Sequence, residues 1–472
     1  MCSRSRLAAC LLMAALLPAG GCQPQRAPPA GWSNPLDPME ARLPQDPNDT
    51  NYVLGRMEFG RWAIVYGCPL RAKPRLMEAF EQLEAERDNV GAALSSERLK
   101  YYKGETYERA MLGVYLGMIE YQAGRYNEAR ILLTRALDFD RGAVVKDTTP
   151  PEVGEDFGLA YYWLGKTYVK LGDEGNANVA FRKVTMPTPR KEKDAARERE
   201  GDCQGAAKWL QQRSEGETWV WQTFHDAANK PDLYVEGAVN LTDPPPSLAD
   251  APAALPDAAP KSPVLRTTEK PDEFFTPAYQ ADANLVLTVE LGRGPFKYLG
   301  GLHGERTEFG RPCIRPHHVR VYLDGHYAGP AFQTLDLWDQ AATQDRIDEK
   351  DAAQTTKGVL KEILSHVPYA SMASGQWDVT GDMRHWTSLP GRVCVFAAKV
   401  APGPHTIRLL SYDINDNLLT RWTSTWYGVA APETGEAGVL LQPTFDRDNT
   451  LPPELVEKAM ATGSQPGFAG TF

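Results

Sequence analysis

The sequence predicts a multi-domain α + β protein: an N-terminal α-helical solenoid of repeats, followed by a separate β-rich, sandwich-like domain with one embedded helix. The chain of 472 residues is longer than a single hydrophobic core normally supports. Apolar residues recur at helical spacing in residues 54–228 and alternate with polar ones in residues 281–446. A proline- and alanine-rich linker, residues 229–280, separates the two regions.

The composition argues against two classes of function. The net charge of −10 and the isoelectric point near 5.5 disfavour a nucleic-acid partner, because such proteins usually carry a basic face. Beyond the N-terminus no run approaches the roughly 18 apolar residues of a membrane-spanning helix. We therefore expect neither DNA nor RNA binding, and no helical span.

Residues 1–21 have the three-part design of a secretion signal: a basic start, an apolar run of "LAACLLMAALL" and small residues. Ala19-Gly20-Gly21-Cys22 resembles the lipobox of bacterial lipoproteins, although leucine is commoner where Ala19 stands. The resemblance implies that Cys22 is acylated and anchors the chain to a lipid bilayer. The alternative is ordinary secretion with Cys22 left as a free thiol. Gln23 is not the aspartate that retains lipoproteins at the inner membrane, so we expect the outer membrane, facing the periplasm.

The remaining cysteines suit an oxidising compartment. Cys68, Cys203, Cys313 and Cys394 are even in number, two in each half of the chain. Cys68–Cys203 and Cys313–Cys394 are therefore candidate disulfides, with other pairings and free thiols left open. Their spacing matches no zinc motif, and the sequence predicts neither a metal site nor a cofactor.

Two further stretches lack periodic apolar residues. Residues 22–53 are rich in proline and predict an extended tether between the bilayer and the folded part. Residues 447–472 predict an irregular tail.

The helical region contains a repeat. Aligning residues 113–137 with 161–185 places Gly117 on Gly165 and Ala129 on Ala177. The glycine at 124 likewise falls on Gly172. This arrangement of small residues resembles the tetratricopeptide (TPR) pattern.

The repeat has a physical rationale. Small residues let two antiparallel helices approach closely, and the later glycines are suited to ending the first helix of each pair. The two copies are 48 residues apart, which implies an insertion near residues 142–155, and the helices near 74–98 and 190–213 are expected to cap the stack. The alternative is a plain helical hairpin domain with chance glycines.

On the repeat interpretation, the first helices present a concave groove that binds an extended peptide or a helix of a partner. The predicted groove residues are aromatic, methionine, valine and lysine side chains: Met111, Val114, Met118, Tyr121, Tyr162, Lys166 and Lys170. The alternative is that these side chains pack against a neighbouring element.

The β-rich region consists of short β-rich runs separated by turn residues. "HVRVYLDGHYAG" predicts a hairpin with its turn at Asp324-Gly325. Residues 354–366 predict the embedded helix. "GRGPFK", residues 292–297, lacks phosphate-loop spacing and predicts a strand end followed by a tight turn.

The segment "GDMRHWTSLPGR" is dense in chemical groups. Asp382, Arg384 and Trp386 share one face of an extended segment, so Arg384 is expected to pair with Asp382 and to lie over the Trp386 ring. That arrangement fixes a loop to a sheet and needs no substrate. A catalytic interpretation centred on His385 requires an orienting partner and a nucleophile or metal, none of which is evident. We predict no catalytic residues.

The chain as a whole resembles functionally uncharacterised bacterial envelope lipoproteins with TPR-like helices and a C-terminal β region. The resemblance rests on Cys22, residues 101–130, residues 289–297 and residues 382–390. It implies a cell-envelope location and no established catalytic role, and it transfers no active-site residues. The linker and a histidine-rich insertion around residues 303–326 depart from the pattern.

The leading hypothesis is a non-catalytic, lipid-anchored adaptor that binds envelope proteins or peptides through the helical groove. One alternative is a cell-wall or carbohydrate-binding module in the β-rich region, with tryptophans as stacking platforms; these are Trp338, Trp377, Trp386, Trp422 and Trp426. Their other interpretation is hydrophobic core. The remaining alternative is a hydrolase of unknown class.

Overall fold

The computed structural model describes residues 36–65, 68–85, 101–141, 157–184, 283–292, 294–300, 306–310, 318–338, 340–341, 382, 384–412, 418–419, 424–442 and 468–471. Within these ranges seven helices precede eleven strands, so the mixed α + β class is confirmed, with helices in the N-terminal half and strands in the C-terminal half. None of the described helices combines the length and apolar character needed to cross a bilayer.

The helices are α1 Leu36–Ala41, α2 Tyr52–Val65, α3 Pro69–Glu84, α4 Thr106–Gln122, α5 Tyr126–Arg141, α6 Gly158–Lys170 and α7 Glu174–Arg182. From α2 onward they pack as three consecutive pairs, α2 with α3, α4 with α5 and α6 with α7.

Each pair is built around one close contact between a glycine and a large side chain. A Cβ atom at Gly117 would lie 2.6 Å from Leu133, and one at Gly165 would lie 2.7 Å from Phe181. In each pair the large residue follows the glycine by sixteen positions. Only glycine leaves room for the facing side chain at these crossings.

The first helices of the second and third pairs end in the same way. Gly124 has φ +73° and Gly172 has φ +76°, a left-handed conformation that glycine adopts without strain. The N–H of Arg125 donates to the Glu120 carbonyl at 2.9 Å, and the N–H of Asp173 donates to the Tyr168 carbonyl at the same distance. The predicted helix ends at both glycines are confirmed.

The helix predicted near residues 74–98 as a cap is described in part as α3, and it pairs with the preceding helix α2. α2 and α3 form a third pair, in which Gly60 lies against Leu76. Ala72 stands where Ala129 and Ala177 stand in the other pairs, twelve residues after the glycine. The predicted insertion at 142–155 and the second cap at 190–213 lie outside the described residues.

The strands are β1 Leu285–Leu291, β2 Phe296–Gly300, β3 Arg306–Gly310, β4 His318–Leu323, β5 His326–Pro330, β6 Phe332–Asp336, β7 Arg392–Ala398, β8 Gly403–Tyr412, β9 Ser424–Ala431, β10 Ala437–Gln442 and β11 Phe468–Thr471. They form a five-stranded sheet in the order β11-β10-β1-β7-β6, a two-stranded sheet of β2 and β3, and a four-stranded sheet in the order β5-β4-β8-β9. β1 pairs in parallel with β10 and antiparallel with β7.

The three main layers are the helices, the five-stranded sheet and the four-stranded sheet. Every residue of β1 is buried, because the strand is covered on both faces. Leu287 and Val289 belong to the apolar cluster shared with the four-stranded sheet, whereas Val286 belongs to the cluster shared with the helices. α2 contacts β10 and β11, and α6 contacts β6.

The prediction of a separate β-rich domain is therefore corrected. One hydrophobic cluster contains core residues of all three helix pairs together with Val393, Val395 and Leu440 from the sheet. The four-stranded sheet covers one face of the five-stranded sheet. The helices pack on the other apolar face of the five-stranded sheet and bury it. The four-stranded and five-stranded sheets do face each other, as a sandwich-like arrangement predicts.

Three smaller expectations change or are met. The predicted tether is folded from residue 36 onward, because α1 buries Leu36 and Met39 in the shared core. The predicted irregular tail contributes β11, which pairs with β10. The hairpin turn is confirmed at Asp324 and Gly325, where φ is +50° and +82°. The predicted helix at 354–366 lies outside the described residues.

Candidate functional site

The three sequence segments that support the lipoprotein resemblance beyond Cys22 meet at one place in the structure. They are the residue 101–105 loop with the start of α4, the β1–β2 connection, and the residue 382–390 loop. At this place lies a cluster of buried polar side chains, which we call the junction cluster; it comprises Glu58, Arg61, Glu105, Glu108, Tyr115, Glu290, Lys297 and Arg384.

Glu108 links the helical layer to the residue 382–390 loop. One of its carboxylate oxygens accepts hydrogen bonds from the Tyr102 hydroxyl and the Glu105 N–H, both at 2.6 Å. The other accepts from the Trp386 N–H, also at 2.6 Å. Burial raises the pKa of Glu108, against the lowering effect of the nearby Lys297. The residue therefore serves both as part of the α4 capping box and as a contact between two distant segments.

Lys297 supplies the opposing charge. Its ammonium group pairs with the Glu105 carboxylate and donates to the Arg384 carbonyl at 3.0 Å. Burial opposes the charged form, but the carboxylates of Glu105 and Glu108 outweigh it and raise the pKa of Lys297. The "GRGPFK" segment follows the end of β1 at Leu291, with Gly292 at φ +65°, and leads into β2 from Phe296; Arg293 lies outside the described residues, so the tight turn stays a prediction. Its lysine is bonded within the protein.

The expected pairing of Arg384 with Asp382 is present. The Nε and Nη2 atoms of Arg384 donate to the two carboxylate oxygens of Asp382 at 2.8 and 2.7 Å. The guanidinium lies over the ring of Tyr102, 5.7 Å from its centroid, and donates from Nη1 to the Thr50 carbonyl at 2.9 Å. Trp386 is buried and meets the ring of Tyr115 edge-on at 5.8 Å.

Two details of that prediction change. The aromatic partner of Arg384 is Tyr102, and the loop is fixed to the helical layer. The loop is also bonded to the sheet side, since Lys297 of β2 donates to the Arg384 carbonyl and the Gly294 N–H donates to the Leu389 carbonyl.

The same loop is held by α2. The Glu58 carboxylate accepts from both the N–H and the hydroxyl of Thr387, each at 2.6 Å. Burial raises the pKa of Glu58 against these hydrogen bonds, which lower it. Glu58 is fully buried, and Thr387 of this loop supplies two hydrogen-bond donors to its carboxylate.

Further pairs join helices to the five-stranded sheet. Arg61 on α2 pairs with Glu290 on β1, and the Tyr115 hydroxyl on α4 donates to the same carboxylate at 2.6 Å. Lys166 on α6 pairs with Glu436, just before β10, at 2.7 Å. Burial lowers the pKa of Lys166, although its partner opposes the shift.

Six of the seven predicted groove residues are buried: Met111, Val114, Met118, Tyr121, Tyr162 and Lys166. All of these except Lys166 belong to the core cluster shared by the helices and the sheet. The ring of Tyr121 meets Tyr126 and Trp163, and the ring of Tyr162 meets Phe181. Lys170 is exposed. The expectation that these side chains form an open groove is therefore corrected for the six buried ones, which pack within the protein.

His385, the centre of the catalytic alternative, is buried beside the junction cluster. The described residues contain no group of three or more histidine, cysteine, aspartate or glutamate side chains placed to hold a metal ion. The acidic and basic groups of the junction cluster bond to one another across the layers. Such a network positions segments of the chain relative to one another.

Where the structure describes them, the tryptophans proposed as stacking platforms are buried or half-buried. Trp386 and Trp426 are buried, each about 2% exposed, and Trp338 is half-buried against the shared core. Trp377 and Trp422 lie outside the described residues. The core interpretation is thus correct for Trp386 and Trp426.

Of the four candidate disulfide cysteines, the structure describes two. Cys68 is buried at the start of α3, and Cys394 is buried between the two large sheets, where desolvation raises the pKa of its thiol to about 12. Cys203 and Cys313 lie outside the described residues, so both proposed pairings stay predictions. Cys22 lies outside them as well.

A cavity of about 270 Å³ adjoins the junction cluster. Its walls come from the loop before α2, the end of α3, the residue 101–103 segment and α4. It is lined in part by Asp49, Gln82, Lys103 and Arg109.

Sequence reasoning did not identify Glu58, Arg61, Glu108 or Glu290 as special. A signal was present for Glu58 and Glu290, because each is a charged residue with an apolar residue on both sides. Charged residues are rarely buried without a partner, so such positions point to a bond with another layer.

No protein-family model, curated protein or solved structure matches the chain.

Proposed function

We propose that the chain is a membrane-anchored lipoprotein of the bacterial cell envelope that acts as a non-catalytic scaffold for other envelope proteins. The observation that carries the proposal is the junction cluster, whose charged groups are buried and bonded across the helix–sheet boundary. Glu108 and Arg61 illustrate this, since each reaches from the helical layer to a partner in the β-rich half. A chain that uses its buried polar groups in this way is suited to holding a rigid shape.

The anchor in this proposal is acylated Cys22, at the outer membrane and facing the periplasm. The lipobox-like residues and the proline-rich stretch that follows them support it. A multiply acylated cysteine gives firm attachment, because each buried CH₂ contributes about 0.8 kcal/mol.

The helical layer in this proposal is a TPR-like solenoid of three units. The three glycine contacts, Gly60 with Leu76, Gly117 with Leu133 and Gly165 with Phe181, support it because they recur at equal spacing. Three is the number of units that a stacked solenoid usually needs. The predicted groove residues are buried apart from Lys170, so in this proposal a partner protein binds the outer face of the second helices.

That outer face carries apolar side chains at equivalent positions. Ile131 on α5 and Val179 on α7 each follow their repeat glycine by fourteen residues and are 55% and 54% exposed. Scattered exposed apolar residues are ordinary, but equivalent positions on successive repeats form a stripe along the stack.

Two measurements in intact cells test the proposal. Cys22→Ser should move the protein from the membrane fraction to the soluble periplasm. A photo-crosslinking amino acid at Ile131 or Val179 should capture discrete protein partners, whereas the same group at Gly325, on the β4–β5 turn, should not. Retention of the Cys22→Ser protein in the membrane would refute the anchor. Identical adducts from all three positions would refute the outer-face surface.

A further inference from the structure

Two fully buried glutamates bond the residue 382–390 loop to the helical layer, and their electrostatic surroundings differ. Glu108 accepts from the Trp386 N–H and lies near the Lys297 ammonium group. Glu58 accepts from Thr387, and both glutamates are 0% exposed. A buried carboxylate is costly unless an opposite charge or several hydrogen bonds compensate it. The partners of Glu58 therefore decide whether it carries a charge.

The arginines on the same helix as Glu58 are paired with other carboxylates. Arg56 pairs with Glu78 on α3. Arg61 follows Glu58 by three residues and pairs with Glu290 on β1. Neither arginine forms an ion pair with Glu58.

The other elements around Glu58 do not supply a cation either. In the loop Arg384 pairs with Asp382, and the remaining ionisable neighbours are His385 in the loop and the α4 residues Glu108 and Tyr115. The described ranges of β10 and β11, which α2 also contacts, contain no ionisable side chain. Among the residues that the structure describes, Glu58 thus forms no ion pair.

The two oxygens of Glu58 are bonded unequally. Oε1 accepts from the N–H and the hydroxyl of Thr387, whereas Oε2 is buried and has no hydrogen-bond partner in the described part of the chain. In Glu108 both oxygens accept, Oε2 from Tyr102 and Glu105 and Oε1 from Trp386. A neutral carboxylic acid has one accepting oxygen and one hydroxyl that needs an acceptor. The bonding of Glu58 is that of a neutral acid, and the bonding of Glu108 is that of a carboxylate.

Ser388 provides the acceptor that a Glu58 hydroxyl needs. Its Oγ atom is buried and has no hydrogen-bond partner among the described residues. Burial raises the pKa of Glu58, and the neighbouring Ser388 and Thr387 groups lower it only in part. A proton on Glu58 Oε2 that is donated to Ser388 Oγ satisfies two buried atoms with one bond. An ionised Glu58 that accepted from Ser388 would still be a buried charge without a cation.

We propose that Glu58 holds a proton at neutral pH and that this proton closes a latch between α2 and the residue 382–390 loop. Oε1 accepts from Thr387 and the Oε2 hydroxyl donates to Ser388, so one side chain fixes two consecutive loop residues. Loss of the proton leaves an unpaired charge in the interior and releases the loop from α2. The latch is independent of the lipid anchor and of the outer-face surface proposed above.

The sign of the pH dependence follows from the raised pKa of Glu58. The contribution of the latch to stability is complete below the ordinary value of 4.5 and is lost as pH rises through the raised pKa. Alkaline pH therefore opens the latch, and acid closes it.

Infrared spectroscopy of the purified full-length chain in detergent tests the protonation state. A neutral carboxylic acid has a carbonyl band that a carboxylate lacks. Wild type should show this band at neutral pH and lose it as pH is raised, Glu58→Gln should lack it, and Glu108→Gln should retain it. A wild-type spectrum without the band at neutral pH would overturn the proposal even if the variants fail to fold. Survival of the band at full intensity in Glu58→Gln would overturn it too.

Urea denaturation of the same two variants tests the effect on stability. The Glu58→Gln amide keeps an oxygen for Thr387 and an N–H for Ser388, so the variant should match wild type at acid pH. Above the raised pKa the wild-type folding equilibrium constant should fall about tenfold per pH unit relative to Glu58→Gln. Glu108→Gln should be less stable than wild type at every pH, because its amide N–H₂ group faces other donors. Parallel curves for wild type and Glu58→Gln from about pH 6 to pH 9, or equal losses in both variants, would contradict the proposal.

Hydrogen exchange in peptides that cover residues 384–390 tests the latch itself. At about pH 9 these amides should exchange faster in wild type than in Glu58→Gln, and at about pH 6 the two proteins should be alike. Comparing the proteins at one pH cancels the intrinsic pH dependence of exchange. Equal exchange at both pH values would show that the proton does not hold the loop.

Discussion

The two faces of β1 are bounded by different kinds of interface. Toward the four-stranded sheet the strand presents Leu285, Leu287, Val289 and Leu291, all in one apolar cluster. Toward the helices it presents Val286, Thr288 and Glu290, and the last of these is bonded to two helices. A single strand therefore joins an apolar interface and one in which apolar packing is combined with buried charged groups, which we call the polar interface.

The difference separates two tasks. Apolar burial stabilises the sandwich without strongly dictating which side chain meets which. Buried charge pairs add little net stability, because desolvation offsets their attraction, but a misplaced partner leaves a charge unpaired in the interior. We infer that the polar interface determines how the helical layer is positioned on the sheet.

The largest predicted effect concerns Arg61. Arg61→Met leaves the Glu290 carboxylate buried without its cation, and both side chains are at most 1% exposed. We expect a loss of about 3–5 kcal/mol in the free energy of unfolding, measured by urea denaturation. A loss below about 1 kcal/mol, as for a surface pair, would contradict the interior role of this contact.

A double variant sharpens that comparison. Arg61→Met with Glu290→Gln removes both charges and keeps an acceptor for the Tyr115 hydroxyl, so most of the lost stability should return. On the sandwich face, Leu287→Ala should cost about 2–5 kcal/mol, and no second polar substitution should recover it. Only the polar interface should show rescue.

The next effect concerns the repeat glycines. Gly117→Ala and Gly165→Ala place a methyl group against Leu133 and Phe181, and each should destabilise the protein by about 1–3 kcal/mol. Gly175→Ala on α7 is the control, because its nearest neighbouring atom is 3.8 Å away. It should be neutral or stabilising by up to about 1 kcal/mol. Equal effects at all three positions, measured by thermal unfolding, would show that the glycines are not packing contacts.

The smallest predicted effect concerns His405 on β8, an inner strand of the four-stranded sheet. His405 bonds through one ring nitrogen to the Ala401 carbonyl and through the other to Asp324, each at 2.6 Å. The backbone carbonyl and then the carboxylate raise the pKa of His405 above 6.5. Its stabilising contribution is therefore complete below pH 6.5 and is lost as pH rises through the raised pKa.

The matching experiment compares His405→Gln with wild type at several pH values. The difference in unfolding temperature should be greater at about pH 6 than at about pH 9, because only the protonated ring donates both bonds. A His405→Gln difference that grows with pH would reverse the assigned sign.

Local pattern made the helix pairs predictable. Gly117 and Gly165, each followed by an alanine and a large apolar residue at fixed distances, specify a helix crossing within one short segment. The same spacing is present at Gly60, Ala72 and Leu76, so a search by spacing would have found the third pair. The Asp324-Gly325 turn was predictable for the same reason, because residue type alone favours its backbone conformation.

Long-range packing was not predictable in this way. Met118 and Tyr162 are apolar on one helix face, and the sequence does not say whether a partner protein or the chain's own sheet covers that face. Lys297 and Glu105 are far apart in sequence, and their ion pair exists only once β2 and the start of α4 are placed together. The candidate site was therefore visible as separate distinctive strings but not as one cluster.

Glu290 also has a consequence for strand alignment. If β1 slipped by one residue against β7 and β10, every side chain would change faces, and this carboxylate would enter the space between the two sheets. There it would meet only hydrocarbon and the Cys394 thiol, far from Arg61 and Tyr115. A single acidic residue thus penalises the misaligned arrangement, which a strand of alternating leucine and valine alone would tolerate.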